Sequence, residues 1–332
     1  MTHNSTLVNI ILTFSVVGEM RRFNKMLAVY SILILFGLAF SFQGSAKQYI
    51  IVDKNDSGDF ASIQKAIDAS RQGDIIIVKP GTYHEILNIN KRVIIRGEDK
   101  STTVISPQSS RNGFAIVVRA KGAVLENLSI TNKGSGMYAQ AIKIVSSNVA
   151  LRNCFIYDVP VGVSVWSSNN IIKGCEFWNC KDEGIVLMGT KYTNCSNNSI
   201  IDCSFHHNCD GIELQYATNN AIENCRISNN THNGIDAIDS HSTGNLIVNC
   251  TIANNQVHGV FLSAKNKLVN CSILKNKDGN LVMKDHLKLS LAKISTNQNK
   301  KSALRSFIER LMNKTNLRLL HRLHDLLTRY GS

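Results

Sequence analysis

Acidic and imidazole side chains recur in the second half of the sequence, close to regularly spaced glycines. Each glycine opens a short apolar stretch, and we expect the residue two positions later to point outward. Carboxylate and imidazole groups held side by side are the groups that enzymes use for general acid–base catalysis. The candidate catalytic residues are Asp210, Glu213, Asp236, Asp239 and His258, and the candidate substrate-binding residues are His206, His232, His241, Trp166 and Tyr216.

The chemistry that these groups suit is the modification of a sugar acid. A base that removes the proton beside a carboxylate, with a cation or basic side chain to stabilise the enolate, performs lyase or epimerase chemistry. Paired carboxylates instead perform glycoside hydrolysis. The competing interpretation is an ordinary solvated surface, because exposed polar side chains need no functional explanation.

The same histidines raise the question of a metal ion. Imidazole suits copper or zinc, but no Cys-x-x-Cys or His-x-x-x-His spacing occurs, and the adjacent His206 and His207 are poorly placed to bind one ion together. The sequence therefore defines no specific metal site. Ca²⁺ is the expected cofactor if the protein is a lyase or an epimerase.

A repeat must position these side chains, because they are far apart in the sequence. Seven copies of one pattern occur from residue 125 onward: an aliphatic residue, any residue, usually Asn, usually Cys, any residue and a large apolar residue. The copies start 21 to 28 residues apart, which fits one coil of a solenoid whose short strands stack at about 4.8 Å. A leucine-rich repeat would contain Leu-x-x-Leu-x-Leu and a helical half, and neither is present. We therefore predict an all-β, single-stranded right-handed parallel β-helix.

Two positions of the repeat have predicted structural roles. The Asn stands at a bend that needs left-handed backbone geometry, and we expect the stacked coils to align these side chains in an internal hydrogen-bonded ladder. The Cys is expected to point inward as a small hydrophobe, because Leu128 fills the same position in the first copy. The ladder residues are Asn127, Asn153, Asn224, Asn249, Asn270, Cys154, Cys175, Cys203, Cys225, Cys250 and Cys271.

Helices are predicted at the two ends of the β-helix. Apolar residues at helical spacing predict a short N-terminal capping helix over about residues 59–71. Apolar residues, mostly leucines, recur every three or four positions over residues 302–330, which predicts a basic amphipathic tail that caps the last coil, contacts an anionic surface or binds a partner. The predicted organisation is an N-terminal extension with a signal peptide (1–46), the β-helix (47–286) and the helical tail (287–332).

The first 46 residues are typical of an export signal. Arg21, Arg22 and Lys25 precede an apolar run from Leu27 to Phe42, and small residues follow. The run is shorter than the roughly 20 residues of a membrane span, so we expect a secreted, cell-surface or periplasmic protein, which is membrane-anchored if the signal is not cleaved. Met20 is an alternative start.

The net charge of +13 does not indicate nucleic-acid binding, because it is concentrated at the ends of the chain. Residues 1–46 carry +2 and residues 284–332 carry +8, which leaves only +3 for the region between them. A basic face interleaved with aromatic residues, as a nucleic-acid binder would have, is not visible. We expect a polysaccharide partner, no nucleic acid and a monomer.

The repeat and the segment before it resemble the pectin lyase-like right-handed parallel β-helix superfamily, especially its parallel β-helix repeat proteins, which are related to the copper-site protein NosD and to sugar hydrolases. The resemblance covers about residues 49–283. Gly58-Asp59-Phe60 and Gly81-Thr82-Tyr83 also resemble the opening of pectin methylesterases. The resemblance implies the fold, and it implies copper if the protein is NosD-like.

Catalytic motifs of the related enzymes are incomplete in this chain. Asp-Phe-Ile-Phe-Gly and Leu-Gly-Arg-Pro-Trp of pectin methylesterases are absent, which argues against that activity. The segments 208–211 (Asn-Cys-Asp-Gly) and 257–259 (Val-His-Gly) are similar to two of the polygalacturonase motifs. Asn233-Gly234 stand where the aspartate pair of those enzymes would be, so the matching positions lack paired carboxylates.

The sequence therefore predicts an extracytoplasmic β-helix repeat protein that binds an acidic polysaccharide. As an enzyme it would cleave or epimerise that polymer, which makes it a polysaccharide lyase, an epimerase or a glycoside hydrolase. The alternative is a noncatalytic cell-surface or periplasmic scaffold, or a NosD-like metal-handling protein.

Overall fold

The chain winds into a right-handed parallel β-solenoid with three sheets that run along its axis. The computed structural model describes residues 48–237, 241–263 and 265–284. Each coil contributes one strand to each sheet in turn, and every pairing between strands of successive coils is parallel. The predicted fold is confirmed, and the predicted signal peptide and helical tail lie outside the described residues.

The strands are grouped here by sheet. Sheet A contains β1 (Tyr49–Val52), β2 (Ile75–Val78), β5 (Ile94–Gly97), β8 (Val124–Glu126), β11 (Ala150–Arg152), β14 (Ile171–Lys173), β18 (Ser199–Ile201), β22 (Ala221–Glu223), β25 (Leu246–Val248) and β28 (Lys267–Val269). Sheet B contains β3 (Gly81–Tyr83), β6 (Thr103–Ile105), β9 (Ser129–Ile130), β12 (Phe155–Tyr157), β15 (Glu176–Trp178), β19 (Ser204–His206), β23 (Arg226–Ser228), β26 (Thr251–Ala253) and β29 (Ser272–Leu274). Sheet C contains β4 (Leu87–Ile89), β7 (Phe114–Val118), β10 (Gln140–Ile144), β13 (Val161–Val165), β16 (Glu183–Met188), β20 (Asp210–Gln215), β24 (Ile235–Ala237), β27 (His258–Ser263) and β30 (Gly279–Lys284). The short strands β17 (Cys195–Ser196) and β21 (Ala217–Thr218) form a separate pair.

One short helix, α1 (Ile63–Ala69), packs on the first coil inside the segment where a capping helix was predicted. Its inward residues Ile63, Ala66 and Ile67 are buried in the core. The Ser62 side chain accepts a hydrogen bond from the Lys65 backbone N–H, and the Glu85 carboxylate accepts two more from the first turn. These acceptors satisfy the amide groups that every helix start leaves unpaired.

The core is a continuous column of aliphatic side chains, because equivalent residues of successive coils are in register. Leu125, Leu151 and Ile172 are neighbours in sheet A and are all fully buried. Phe177 and Phe205 stack inside sheet B with ring centroids 4.6 Å apart. Alternation along each strand sends one set of side chains into this core and leaves the other set on the outer surface.

The six repeat cysteines form a buried column at the corner between sheets A and B. Each thiol lies near a backbone carbonyl of the preceding coil, as Cys225 Sγ does at 3.6 Å from the Ile200 oxygen. Leu128 is buried at the same corner in the first copy. All nine cysteines are free thiols, and the ladder cysteines fill space as small apolar groups.

The repeat asparagines adopt left-handed geometry, with φ between 48° and 56° at Asn127, Asn153, Asn224, Asn249 and Asn270. Some of them pair, as where Asn270 donates to Asn249 at 2.7 Å. Asn127 is only partly buried and the other four lie at the surface. The prediction of an internal ladder at these positions was wrong, because the left-handed bend turns the side chain toward solvent.

Two other asparagine columns form the internal ladders. Their members are Asn170, Asn198, Asn220, Asn245 and Asn266 in the first column, and Asn208, Asn230, Asn255 and Asn276 in the second. In both columns the side-chain amide donates to the side-chain oxygen of the next coil, at 2.8 to 3.2 Å. The same oxygen also accepts a backbone N–H, so these buried amides are well satisfied.

Within residues 48–237, 241–263 and 265–284, the structure contains no helix of the length and apolarity that a membrane span requires.

Candidate functional site

Sheet C brings several predicted catalytic residues into adjacent rows. Along its outward face, Glu213 is the direct neighbour of Asp236, and Asp236 is the neighbour of Phe261. At the start of the same strands, Glu183 is the neighbour of Asp210. We call Glu183, Asp210, Glu213 and Asp236 the acid cluster.

The acid cluster is held together by hydrogen bonds that cross the coils. The Asn233 backbone N–H donates to Asp210 Oδ1 at 2.7 Å, and the Asn233 side-chain amide donates to Asp236 Oδ2 at 3.0 Å. The Asn233 Oδ1 atom accepts the His258 backbone N–H at 3.0 Å. Asn233 therefore links Asp210, Asp236 and His258, and it fixes the positions of both carboxyl groups.

His232 and Asp210 are hydrogen-bonded to each other on one side of the acid cluster. His232 Nδ1 lies 2.9 Å from Asp210 Oδ1 and 3.1 Å from Oδ2. The Asp210 side chain is 11% exposed, whereas that of His232 is 45% exposed. The imidazole thus covers an almost buried carboxylate and keeps its outer edge open to solvent.

The carboxyl groups of Glu183 and Glu213 are hydrogen-bonded to each other. Burial raises the pKa of Glu183 far above its usual value of 4.5, and the hydrogen bond to Glu213 and the negative charges of Glu213 and Asp182 raise it further. Burial also raises the pKa of Glu213. Burial as the main cause brings the pKa of Glu183 to about 10, so Glu183 is protonated at neutral pH.

The pKa of Asp210 is raised by burial, and this effect is opposed by the Asn233 N–H and by the charge of His232. Asp182, the residue directly before Glu183, also has a raised pKa because of burial. The cluster therefore combines a protonated acid at Glu183 with nearby carboxyl groups that accept hydrogen bonds. General acid–base catalysis needs these two functions side by side.

Predicted substrate-binding residues are spread over several surfaces. Trp166 lies on the N-terminal side of the acid cluster, where its indole N–H donates to Ser164 Oγ at 3.1 Å. Tyr216 and His241 stack with centroids 4.5 Å apart beyond the end of β20. His206 belongs to sheet B, where it bonds to Glu176 at 2.9 Å and stacks on Trp178. Asp239 lies outside the described residues.

A basic and aromatic cluster occupies the N-terminal part of the outward face of sheet C. The Lys143 ammonium group lies 4.9 Å from the centre of the Phe114 ring and 4.8 Å from that of Trp166. Ser164, the neighbour of Lys143 in the sheet, forms a short hydrogen bond to Gln140. We call Phe114, Gln140, Lys143, Ser164 and Trp166 the lysine cluster.

Sequence reasoning missed Glu183, Asn233 and Lys143 as functional residues. A signal for the first two was present, because the residue directly before each strand-opening glycine is Glu183, Asp210, Asn233 and His258 in successive coils. The sequence prediction used the residue two positions after each glycine, and that position identifies Glu213 and Asp236 instead. Lys143 follows no glycine, since its strand opens with Gln140.

Metal-binding potential is confined to one group among residues 48–237, 241–263 and 265–284. Ligand atoms of Cys209, Asp210 and His232 all lie within 4.8 Å of one another. Ca²⁺ binds about six to eight oxygen atoms, and this group offers sulfur, nitrogen and oxygen. Ca²⁺ therefore does not fit here, and no reaction step is derived through it.

These features define a parallel β-helix protein with an acid cluster and a lysine cluster on one sheet. Residues 53–267 match the family model described as "Pel9A-like, right handed beta helix region". The match covers more than half of the chain. The chain belongs to this Pel9A-like right-handed β-helix family.

Curated relatives match shorter parts of the chain. A cell surface glycoprotein of Methanothermus fervidus is 28% identical over 130 residues, which are 38% of this chain and 21% of that protein. The probable pectinesterase 67 of Arabidopsis thaliana is 30% identical over 131 residues, which are 37% of this chain and 32% of that protein. The matched regions thus span at most a third of these two relatives.

Among solved structures, the pectin methylesterase from carrot is similar with a TM-score of 0.51. The alignment covers 78% of this chain and 91% of that enzyme, at 14% sequence identity. Similarity at this level shows a common fold.

Proposed function

We propose that this protein is an extracytoplasmic β-helix that binds an acidic polysaccharide along the outward face of sheet C and cleaves its glycosidic bonds. The observation that carries the proposal is the placement of four carboxyl groups on adjacent strands of sheet C, where Glu183 is the neighbour of Asp210 and Glu213 is the neighbour of Asp236. Burial raises the pKa of Glu183 in this cluster. Glycoside hydrolysis requires one carboxyl group that is protonated and one that accepts a proton.

Glu183, Glu213 and Asp236 of the acid cluster each have a distinct role in the proposed reaction. Glu183 donates its proton to the oxygen of the leaving sugar, and Asp236 removes a proton from the attacking water. Glu213 accepts the Glu183 hydrogen bond and so keeps the acid in place. Asn233, which donates to Asp236 Oδ2 at 3.0 Å, orients the base.

Hydrolysis suits this cluster better than elimination. Elimination needs a cation to stabilise the enolate that forms beside the substrate carboxylate. The charged groups that act on Glu183, Asp210 and Glu213 are other carboxylates and His232. Hydrolysis would use Glu183 as the acid and Asp236 as the base, whereas the neighbouring charges do not favour an enolate.

The lysine cluster supports an acidic polymer as the substrate. Lys143, Ser164, Val186 and Glu213 are successive neighbours in sheet C, so Lys143 is three coil spacings from Glu213. This is about 14 Å along the solenoid axis. The ammonium group binds a sugar carboxylate there, and the Trp166 ring offers an apolar surface to the same sugar. A chain lying along the axis then reaches the acid cluster.

The similar proteins agree with a polysaccharide substrate and an exported location. One relative is a cell surface glycoprotein, and another is a probable pectinesterase. The solved structure from carrot is a pectin methylesterase. These names belong to those proteins, and the cleavage proposed for this chain rests on its own acid cluster.

The test of cleavage is turnover of uronate-containing polysaccharides by the full chain, with and without Ca²⁺. Reducing ends report chain cleavage by either route, and ultraviolet absorbance of unsaturated products reports elimination, so reducing ends without that absorbance identify hydrolysis. We expect reducing ends without unsaturated products, and a loss of at least about 100-fold in rate for Glu183→Gln and Asp236→Asn. Glu176→Gln is the matched control, because Glu176 is an acid on sheet B that pairs with His206. Full activity in Asp236→Asn would refute the mechanism.

The test of binding is the affinity for the same polymers. We expect Lys143→Gln to weaken binding about tenfold, the loss of one hydrogen bond to a charged group. Lys173→Gln is the control, since Lys173 lies on sheet A beside Asp202. Equal effects of the two substitutions would show that the lysine cluster is not a binding site.

A noncatalytic scaffold is the second candidate, and one observation favours it. Asn233 occupies the position between Asp210 and His258 where another carboxylate would complete a row of acids. On this alternative the protein binds polysaccharide through the lysine cluster without turnover. On this alternative, Lys143→Gln would still weaken binding of the polymers, and the unaltered chain would release no product from any of them.

A further inference from the structure

The corner between sheets B and C carries a group of side chains that the proposed hydrolysis does not use. Cys209 lies in the turn before β20, Asp210 opens β20, and His232 lies in the equivalent turn of the next coil. Their ligand atoms are all within 4.8 Å of one another. Within the described residues this is the one group of three acidic, histidine or cysteine side chains that converges so closely.

Cys209 differs from every other cysteine of the chain. The other eight are buried, whereas Cys209 is only partly buried and lies off the ladder. Its Sγ atom lies within 4.8 Å of a carboxylate oxygen of Asp210 and a ring nitrogen of His232. Packing explains the ladder cysteines, and it does not explain a thiol at this corner.

The carboxylate of this group is already fixed in position. Asp210 Oδ1 accepts the Asn233 backbone N–H at 2.7 Å, and the Asp210 side chain is 11% exposed. Outer hydrogen bonds of this kind orient metal ligands and reduce the cost of assembling them. His232 Nδ1 lies 2.9 Å from Asp210 Oδ1, a separation that two ligands of one ion can have.

The donor set selects the class of metal. Sulfur, nitrogen and a carboxylate oxygen together suit Zn²⁺, for which ligand distances are about 2.0 to 2.3 Å. Hard cations such as Ca²⁺ and Mg²⁺ require oxygen ligands. Three protein ligands would leave one position of a tetrahedral ion for a water molecule, and the His232 side chain, at 45% exposure, borders solvent.

We propose that Cys209, Asp210 and His232 bind one Zn²⁺ ion through Sγ, a carboxylate oxygen and Nδ1. On binding, the Cys209 thiol would release its proton to solvent. The His232 imidazole would be neutral with its proton on Nε2, and any second imidazole proton would also pass to solvent, so that Nδ1 and the Asp210 carboxylate are free to bind the ion. The site uses none of Glu183, Glu213 and Asp236. A negative result for Zn²⁺ binding would therefore leave the proposed hydrolysis untouched, and the reverse is also true.

The experiment is a metal titration of the full chain under reducing conditions. Zn²⁺ affinity is measured by competition with a chromophoric chelator, and Co²⁺ is the spectroscopic probe because a thiolate ligand gives it a charge-transfer band. We expect one equivalent of Zn²⁺ and a thiolate band with Co²⁺. Cys209→Ser should abolish the band, and Cys209→Ser and His232→Ala should each weaken Zn²⁺ binding by at least about tenfold.

His206→Ala is the matched control, because His206 is a partly exposed histidine that lies 2.9 Å from the Glu176 carboxylate and lacks a thiol beside it. We expect it to bind Zn²⁺ as the unaltered chain does. Circular dichroism confirms that each variant is folded. Unchanged affinity in Cys209→Ser, equal losses in His206→Ala and His232→Ala, or preference for Ca²⁺ over Zn²⁺ would overturn the proposal.

Discussion

The two corners on either side of sheet B are built by the same repeat, yet they differ in composition. At the corner between sheets A and B, six successive coils place a buried cysteine at the same position. At the corner between sheets B and C, the residues directly before the glycines of successive coils are Glu183, Asp210, Asn233 and His258. At the first corner the cysteine position faces the core, where packing against the next coil restricts the residue to a small apolar side chain. The second corner also has a repeating buried position, filled by Asn208, Asn230, Asn255 and Asn276. The residues directly before the glycines lie outside that column, and they vary in chemistry from coil to coil.

This difference shows where to search for function in a solenoid. A position that repeats is explained by the contact between coils, so its residue type carries information about the fold. A position at which the repeat changes from coil to coil has no such explanation. The acid cluster, the lysine cluster and the proposed zinc site all lie at positions of the second kind.

The largest effect that we expect comes from breaking a repeating position. Asn230→Ala removes the acceptor for the Asn208 backbone N–H and side-chain amide, both buried. Two buried donors without partners should lower the free energy of unfolding by about 3 kcal/mol or more. Chemical denaturation measures the loss.

Asn249→Gly is the control for this comparison. Asn249 is exposed and has φ of 54°, which glycine adopts without strain. We expect a change below about 0.5 kcal/mol. Similar losses in the two variants would show that the buried and exposed asparagines are not distinct in the way described.

A stabilising effect is expected where the repeat changes. Glu183 has a folded-state pKa far above its usual value of 4.5, so the folded chain holds more protons than the unfolded chain above that pH. The resulting cost to stability is absent below pH 4.5 and grows as the pH rises toward the folded-state pKa. Glu183→Gln should therefore raise the free energy of unfolding at pH 7 by at least about 1.4 kcal/mol, the equivalent of one pKa unit.

The pH dependence of that difference is the decisive part of the measurement. At about pH 4 the unaltered chain and Glu183→Gln should have equal stability, because Glu183 is then protonated in the folded and the unfolded states alike. A gain that is the same at both pH values would come from packing, and the raised pKa of Glu183 would be refuted.

The smallest effect is expected at the Cys209 thiol, at the corner between sheets B and C. In the absence of metal, Cys209→Ser should change the free energy of unfolding by less than about 0.5 kcal/mol, because the side chain is partly exposed. Cys225→Ser should cost more, since it places a hydroxyl in the buried column. Thermal unfolding of the two variants measures both losses of stability. An equal loss in Cys209→Ser and Cys225→Ser would mean that Cys209 is also a packing residue.

Much of the fold was predictable because the core imposes a strict pattern. The anchors such as Leu125 and Leu151 recur with the period of a coil, and the cysteine that follows is inward at each copy. The buried asparagines also carry a signal, since Asn220 and Asn245 each stand two residues before an anchor. It was overlooked because the asparagine beside the cysteine is more conspicuous.

The site was less predictable, because it depends on contacts between coils. Glu213 and Asp236 could be placed on one face from their distance to a glycine. The hydrogen bond from Glu183 to Glu213 joins residues of neighbouring coils at different positions along their strands, and no spacing within a single copy reveals it. The same is true of Lys143, which meets Phe114 and Trp166 across three coils.

The buried asparagine columns give the solenoid a direction. Where two asparagines of a column pair, the amide of the N-terminal member donates one N–H to the side-chain oxygen of the C-terminal member. The aligned amide dipoles add along the axis, much as peptide dipoles do in an α-helix. The C-terminal end of a growing stack therefore presents amide donors, and the N-terminal end presents acceptors. A coil added at the C-terminal end accepts hydrogen bonds from these N–H groups. Assembly of the solenoid has a chemical polarity, and the two ends cannot substitute for each other as templates.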